Sequence, residues 1–204
     1  MTIAALLLAA GESTRMGQLK QLLDWDGVPL VAWQAGQLRD AGVEHVIVVL
    51  GHAAEEVRLA VPKFARVVLN EAYKQGRATS LKRGAEALED DTEAVLILSV
   101  DQPRPAWLAR RLIEQWRSSH AKVVSPRFEK GYGHPILLHG SLLPELRDVS
   151  EETLGLRAVI DRHVVEAVSV AVANQAVHVD LNTPADYEAA LVSYQRGEWA
   201  DSEG

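Results

Sequence analysis

The sequence predicts a three-layer α/β domain built on a mostly parallel sheet. Three observations carry this. Short apolar runs such as Ile3 to Ala9, His45 to Leu50 and Ala94 to Val100 alternate with amphipathic segments, the pattern of buried strands joined by covering helices. Prolines at 29, 105 and 184 open helical stretches, where their fixed φ and missing N–H cost nothing. The 204 residues, 48% hydrophobic and 24% charged, are enough for one ordinary core and argue against wholesale disorder.

Read in order, Ile3 to Ala9 is a first buried strand. Asp26-Gly27 marks a tight turn. A helix follows from Pro29 to about Ala41. His45 to Leu50 is a second strand, closed by Gly51. Ala54 to Ala60 is a short helix and Arg66 to Leu69 a third strand. Gln75-Gly76 breaks the chain before a helix from about Thr79 to Leu88. Ala94 to Val100 is the most apolar strand, with Asp101-Gln102-Pro103 at its carboxyl end. Pro105 to Arg117 is helical. Lys122 to Ser125 and Pro135 to Leu138 are later strands, linked by Lys130-Gly131-Tyr132-Gly133-His134. Leu154 to Arg162 is helical, Val164 to Val172 and Ala176 to Asp180 are strands, and Pro184 starts the last long helix. There is no repeat, linker or low-complexity tract, so one domain over 1–197 with a frayed polar tail at 198–204 is the expectation.

Composition narrows the chemistry. A net charge of −7 opposes general nucleic-acid binding, which needs a basic face, but leaves room for one bound nucleotide. With no cysteine, disulfides, thiolate zinc sites and cysteine nucleophiles are excluded. This suits a reducing cytoplasm, the expected location. The apolar run at residues 3–10 is too short to span a bilayer and lacks a basic leader, so no membrane association is expected. The seven histidines are scattered without an H-x-x-x-H pair and read as surface or core residues. Trp33, Trp107 and Trp116 lie in helical segments and read as core; the Glu151-Glu152 pair reads as a solvated turn.

The first strand runs into Leu8-Ala9-Ala10-Gly11-Glu12-Ser13-Thr14-Arg15-Met16-Gly17, with Lys20 beyond. A strand followed by a glycine turn is a common phosphate cradle, because backbone N–H groups can approach the anion. The dinucleotide pattern G-x-G-x-x-G is absent. The Walker A spacing also fails: Gly11 and Gly17 are one residue too far apart, and Gln18 stands where the lysine belongs. What remains is a loop with two cations, Arg15 and Lys20, suited to a polyphosphate. Spacing alone leaves an ordinary solvated surface turn equally open.

The pattern Leu8-Ala9-Ala10-Gly11-x-Ser13-x-Arg15-Met16-Gly17-x-x-Lys20, followed by Leu22-Leu23 and Gly27-x-Pro29-Leu30, resembles the signature of the molybdenum-cofactor nucleotidyltransferase-like family. Further landmarks appear in family order over about residues 3 to 190. Asn70 and Gly76-Arg77-Ala78-Thr79-Ser80-Leu81 are similar to the base-facing segment. Val100-Asp101-Gln102-Pro103 resembles the metal-binding strand end, Gly133-His134-Pro135 the acceptor-side turn, and Asp180-Leu181-Asn182-Thr183-Pro184-Ala185-Asp186 the C-terminal motif.

The resemblance implies a Rossmann-like nucleotidyltransferase fold with an N-terminal nucleotide half and a C-terminal acceptor half. It implies Mg²⁺-dependent transfer of a nucleoside monophosphate to a phosphate-bearing acceptor, with Mn²⁺ as a substitute metal. The implied acceptor is molybdopterin or its molybdenum form, with a molybdoenzyme as client. The implied nucleotide contacts are Leu8, Ala9, Ala10, Gly11, Glu12, Ser13, Gly17, Asn70, Gly76, Thr79 and Ser80. Lys20 falls to the α-phosphate and acceptor and Arg15 to the β- and γ-phosphates. Gln102, Pro103, Gly133, His134 and Arg157 fall to the acceptor. Asp101 falls to the metal, with a second ligand from Asp180 or Asn182.

Several of these residues carry a plainer alternative. Asp101 can be a helix cap before Pro103 and Pro105. Asp180 and Asn182 can be turn or cap residues before Thr183-Pro184, and Ser80 a helix N-cap. Asn182 stands where many cytidylyl-type relatives carry aspartate. Glu152-Thr153-Leu154-Gly155-Leu156-Arg157 departs from the glycine-aspartate pair of relatives, although Gly155 and Arg157 fit. Ala10 replaces a glycine that accompanies guanine use, which implies CTP over GTP. A nucleotidyltransferase for a sugar or alcohol phosphate, or a non-catalytic nucleotide-binding regulator or cofactor chaperone, are the alternative functions.

Overall fold

The computed structural model describes residues 2–129 and 131–201. Lys130 of the glycine-rich link and residues 202–204 of the expected tail lie outside the described residues. The strands are β1 (Ile3–Ala9), β2 (Asp24–Trp25), β3 (Val28–Pro29), β4 (His45–Leu50), β5 (Arg66–Leu69), β6 (Ala94–Ser99), β7 (Val123–Phe128), β8 (Gly131–Tyr132), β9 (Ile136–His139) and β10 (Ala167–Ala171). The helices are α1 (Leu30–Asp40), α2 (Ala54–Arg58), α3 (Arg77–Glu86), α4 (Ala106–Ser119), α5 (Leu143–Arg147), α6 (Leu156–Arg162) and α7 (Pro184–Gln195).

The main sheet has the order β10-β7-β9-β6-β1-β4-β5, with β8 alongside β7. The β6-β1-β4-β5 half is parallel throughout. β9 runs antiparallel to both β6 and β7, and β10 is parallel to β7. The fold is thus three-layer α/β with a mostly parallel sheet, as the sequence predicts. β1 shows how the layers arise. Successive side chains point to opposite faces: Ile3, Ala5, Leu7 and Ala9 join a core covered by α1 and α4, and Ala4 and Leu6 join a second core under α3 and α5. Each fully buried leucine or isoleucine contributes about 1.5–3 kcal/mol. Among the described residues no helix is long and apolar enough to cross a membrane.

Four expectations need correction. Residues 176–180 form no strand. Asn174 accepts the Ala176 N–H through its side chain (2.9 Å), and the chain curls into a 3₁₀ turn over Gln175–His178. The tail is docked through Asp201: Trp199 is 2% exposed, its carbonyl accepts the Trp107 indole N–H at 2.8 Å, and Asp201 pairs with Arg111. Helix α3 begins at Arg77, directly after Gly76 at φ 125°. Glu151 is no bystander in a solvated turn, because its carboxylate accepts the Ala78 N–H at 2.5 Å. The strands and helices not anticipated are short: β2, β3 and β8 have two residues each and α5 has five.

Candidate active site

Ligands of open α/β sheets gather beyond the carboxyl ends of the strands, and the loop after β1 sits there. It turns through Ser13 (φ 56°) into a 3₁₀ turn over Thr14–Met16 that Gly17 ends at φ 73°. Two polar side chains fix its shape. The Ser13 hydroxyl accepts the Lys20 backbone N–H at 3.1 Å, and the Gln21 amide donates to Ala9 O (2.8 Å) and Gly11 O (3.0 Å). Gln21, 1% exposed, was not singled out from the sequence, because an amide inside an apolar stretch carries no motif signal. A Cβ on Gly11 would meet nothing within 4 Å, so the space in front of this backbone is open.

The loop faces the end of β6. Lys20, 7% exposed, donates from Nζ to Asp101 Oδ2 at 3.0 Å. Asp101 therefore does not cap α4, whose N-cap is Pro105. Arg15 Nη2 donates to Asn182 Oδ1 at 2.9 Å. Leu181 N–H donates to Asp101 O at 2.8 Å, which draws the Asp180–Asn182 segment to the same edge. Helix α7 is capped by Thr183 and Asp186, not by Asp180 or Asn182. Thus Lys20, Arg15, Asp101 and Asn182 are brought together. Asp180 is beside them, with Oδ1 3.8 Å from Arg104 Nη2.

A cavity of about 290 Å³ lies between the loop and α3. Leu8, Ala10, Gly11, Ser13, Arg15, Lys20, Gly76, Ser80 and Asp101 all line it, with Tyr73, Arg77 and Ser99 added. Ala9, Glu12, Gly17, Asn70 and Thr79 do not. Glu12 turns outward, with its carboxylate 3.9 Å from Lys74 Nζ. Asn70, 3% exposed, acts from behind: its amide donates to Thr79 Oγ1 and Ser80 Oγ, both at 2.9 Å, and sets the wall of α3. Ser80 lies inside α3 and is not its N-cap.

A second cavity of about 380 Å³ adjoins the first and shares Leu8, Arg77 and Ser99 with it. Gln102, His134 and Arg157 line it over an apolar floor that includes Leu81, Ile97 and Ile160. Pro103 and Gly133 line neither cavity. Gly133 is instead pressed under the 174–179 segment, where a Cβ would stand 2.0 Å from Val177 Cγ1. His134 Nδ1 is buried without a partner in the protein. Burial, then the Arg104 charge, push the His134 pKa down to about 4, with Asp180 opposing, so the ring is neutral at pH 7.

Arg104 is the residue the sequence reading missed. It is 2% exposed and donates to the carbonyls of His134 (2.9 Å), Pro103 (2.9 Å), Val179 (2.7 Å) and Val177 (2.8 Å). Burial lowers its pKa to about 10, with Asp180 and Asp101 opposing, which leaves it charged at pH 7. One guanidinium thereby ties the end of β6, the acceptor-side turn and the segment carrying Asp180. An isolated arginine between two prolines gives no sequence cue to this.

A parallel sheet whose first strand opens into this loop, with a lysine–aspartate pair across it, thus places two adjoining cavities at the carboxyl edge of the strands. The chain belongs to the MobA-like NTP transferase domain family, whose model matches residues 5–168. It is similar to the bifunctional protein GlmU of Geobacter metallireducens, 31% identical over 77% of this chain and 35% of that protein. The chain spans about a third of the length of that curated relative. Two solved structures are also similar. One is a nucleotidyl transferase from Methanothermobacter thermautotroptrophicus, with 26% identity, TM-score 0.82, and coverage of 96% of this chain and 99% of that one. The other is Rv0371c from Mycobacterium tuberculosis H37Rv, with 28% identity, TM-score 0.82, and coverage of 95% and 99%. Rv0371c has also been solved in complex with manganese, at 26% identity, TM-score 0.76, and coverage of 95% and 100%.

Proposed function

We propose that this protein is a divalent-metal-dependent nucleotidyltransferase that moves CMP from CTP onto molybdopterin or its molybdenum form and releases pyrophosphate. The observation that carries the reading is the Lys20–Asp101 pair at 3.0 Å, set in a cavity that shares a wall with a second one. Two adjoining cavities with a cation and a carboxylate at their edge suit a donor and an acceptor that must meet at one phosphorus atom.

The chemistry asks little covalent help of the protein. An acceptor oxygen attacks the α-phosphorus in line and pyrophosphate departs, so catalysis is positioning plus charge neutralisation. Lys20 supplies a point charge at the α-phosphate and Arg15 a fork for the β- and γ-phosphates. The open backbone at Gly11 lets phosphate oxygens approach the loop amides. In the described residues no three His, Cys, Asp or Glu side chains could hold a metal by themselves. The donor set nevertheless fits Mg²⁺, which takes one or two protein oxygens and completes its shell with phosphate and water. Asp101 with Asp180 or Asn182 would hold it, and the ion would supply further neutralisation of phosphate charge. The manganese complex of Rv0371c supports divalent-metal use.

The choice of CTP rests on Ala10. It is 6% exposed and lines the first cavity, where its methyl narrows the space beside the base. The choice of acceptor is open to a second reading. Residues 152–157 depart from the glycine-aspartate pair of relatives, although Gly155 and Arg157 fit, and Glu151 is turned onto the start of α3, which favours a sugar or alcohol phosphate as strongly as a pterin. Pyrophosphate release with CTP or GTP, offered with molybdopterin or with sugar and alcohol phosphates, tests both choices. CTP with molybdopterin should turn over fastest; faster turnover with GTP would overturn the Ala10 argument, and a sugar phosphate as best acceptor would replace the pterin.

A further inference from the structure

Arg77 is the first residue of α3 and lines both cavities. Its guanidinium is aimed by one contact: Nη2 donates to Ser99 Oγ at 2.9 Å. Ser99 is the last residue of β6, two positions before Asp101. The other cations of this edge are engaged. Lys20 is on Asp101, Arg15 on Asn182, and Arg104 is buried on four carbonyls. Arg157, which lines the second cavity, lies 3.6 Å from Asp161. Among the described residues no carboxylate pairs with Arg77, and a guanidinium has five N–H donors. Its positive charge is felt across the second cavity, where it is one of the causes that hold His134 neutral.

A phosphate that attacks another phosphate brings two anions together, and a cation between them removes the repulsion. A planar guanidinium does more, because it can take two phosphate oxygens at once and leave the third directed elsewhere. We propose that Arg77 is the acceptor-phosphate fork of this site. Held by Ser99 at the boundary of the two cavities, it binds two oxygens of the acceptor phosphate and directs the third at the α-phosphorus. That oxygen forms the new P–O bond. The bond from the α-phosphorus to its bridging oxygen breaks, and its electron pair leaves with pyrophosphate. The inference rests on the nucleotidyltransferase reading above and adds to it the residue that selects for a phosphate on the acceptor.

The test uses calorimetry on the intact protein. The analogue α,β-methylene-CTP is titrated with Mg²⁺, and phenyl phosphate is then titrated into the loaded protein. In Arg77→Gln the analogue should bind within about twofold of wild type, while phenyl phosphate weakens at least tenfold. Arg77→Lys and Ser99→Ala should give smaller losses for phenyl phosphate alone, because one keeps the charge without the fork and the other keeps the fork unaimed. Arg77 is exposed at a helix start, so these variants should keep the wild-type circular dichroism. Unchanged phenyl phosphate binding in Arg77→Gln, or none in the loaded wild type, overturns the role. Equal loss for analogue and phenyl phosphate also overturns it, by assigning Arg77 to the nucleotide. Failure of wild type to bind the analogue at all defeats the nucleotidyltransferase reading itself, and the Arg77 role with it.

Discussion

Lys20 and His134 carry the residue-scale predictions. Lys20 spans from the β1 loop to Asp101 with its side chain 9% exposed, while the Asp101 side chain remains 26% exposed. Removing the ammonium leaves a carboxylate that water can still reach, so the cost to stability stays near 1 kcal/mol. Its loss to catalysis is larger. Lys20→Ala should lower turnover by about 10²–10³-fold, as for removal of one charge-stabilising donor. Circular dichroism should be unchanged, and pyrophosphate release is the measurement.

His134 gives a pH dependence. Its folded pKa of about 4 lies below the ordinary 6.5, so the unfolded chain takes up the proton first. Stability is therefore constant above about pH 6.5 and falls as pH drops toward 4, by up to about 3 kcal/mol from this group. Urea unfolding of metal-free protein at pH 7.5 and 4.5 should show a smaller loss for His134→Gln than for wild type. Equal losses would contradict the assignment.

At the scale of elements, the segment from Asn174 to Asn182 decides how the site is assembled. It has no strand partners and is held by Arg104 and by the Leu181–Asp101 backbone bond. Arg104→Ala should cost about 3–5 kcal/mol, since it strands several buried carbonyls at once. Denaturant midpoints measure this, and Asp180 should become more mobile by amide exchange. This segment also marks where sequence reading stops. The strands β1 and β4 are visible in the sequence because short apolar runs of strand length, bounded by turn signals, read as buried strands. Ala176 and Val177 are equally apolar and fully buried, yet they lie in a 3₁₀ turn. Their geometry comes from the Asn174 side chain and from Arg104, 70 and more residues away, which periodicity does not register.

For the whole molecule, the same division holds between what is local and what is not. The loop residues at 8–20 are legible because they are contiguous and chemically distinctive. The pairings Lys20–Asp101 and Arg15–Asn182 join positions 81 and 167 residues apart, and only the folded sheet edge makes them. The docked tail follows the same rule. Trp199 looks like part of a polar terminus, but it completes an aromatic cluster with Trp25 and Tyr194, both at 5.6 Å between ring centroids. Trp25, a few residues beyond the nucleotide loop in sequence, is fully buried there. Trp199→Ala should cost about 3–5 kcal/mol, read as a lower midpoint of thermal unfolding.

The central claim is that the loop after β1 holds a nucleoside triphosphate with a divalent metal. A thermal-shift panel of CTP, GTP, ATP and UTP, each with and without Mg²⁺, tests it most directly. A ligand at 100 times its Kd adds about 2.7 kcal/mol of stability. The account predicts a clear upward shift that requires Mg²⁺, is largest with CTP, and is lost in Lys20→Ala. No shift with any nucleotide, with or without metal, would contradict it.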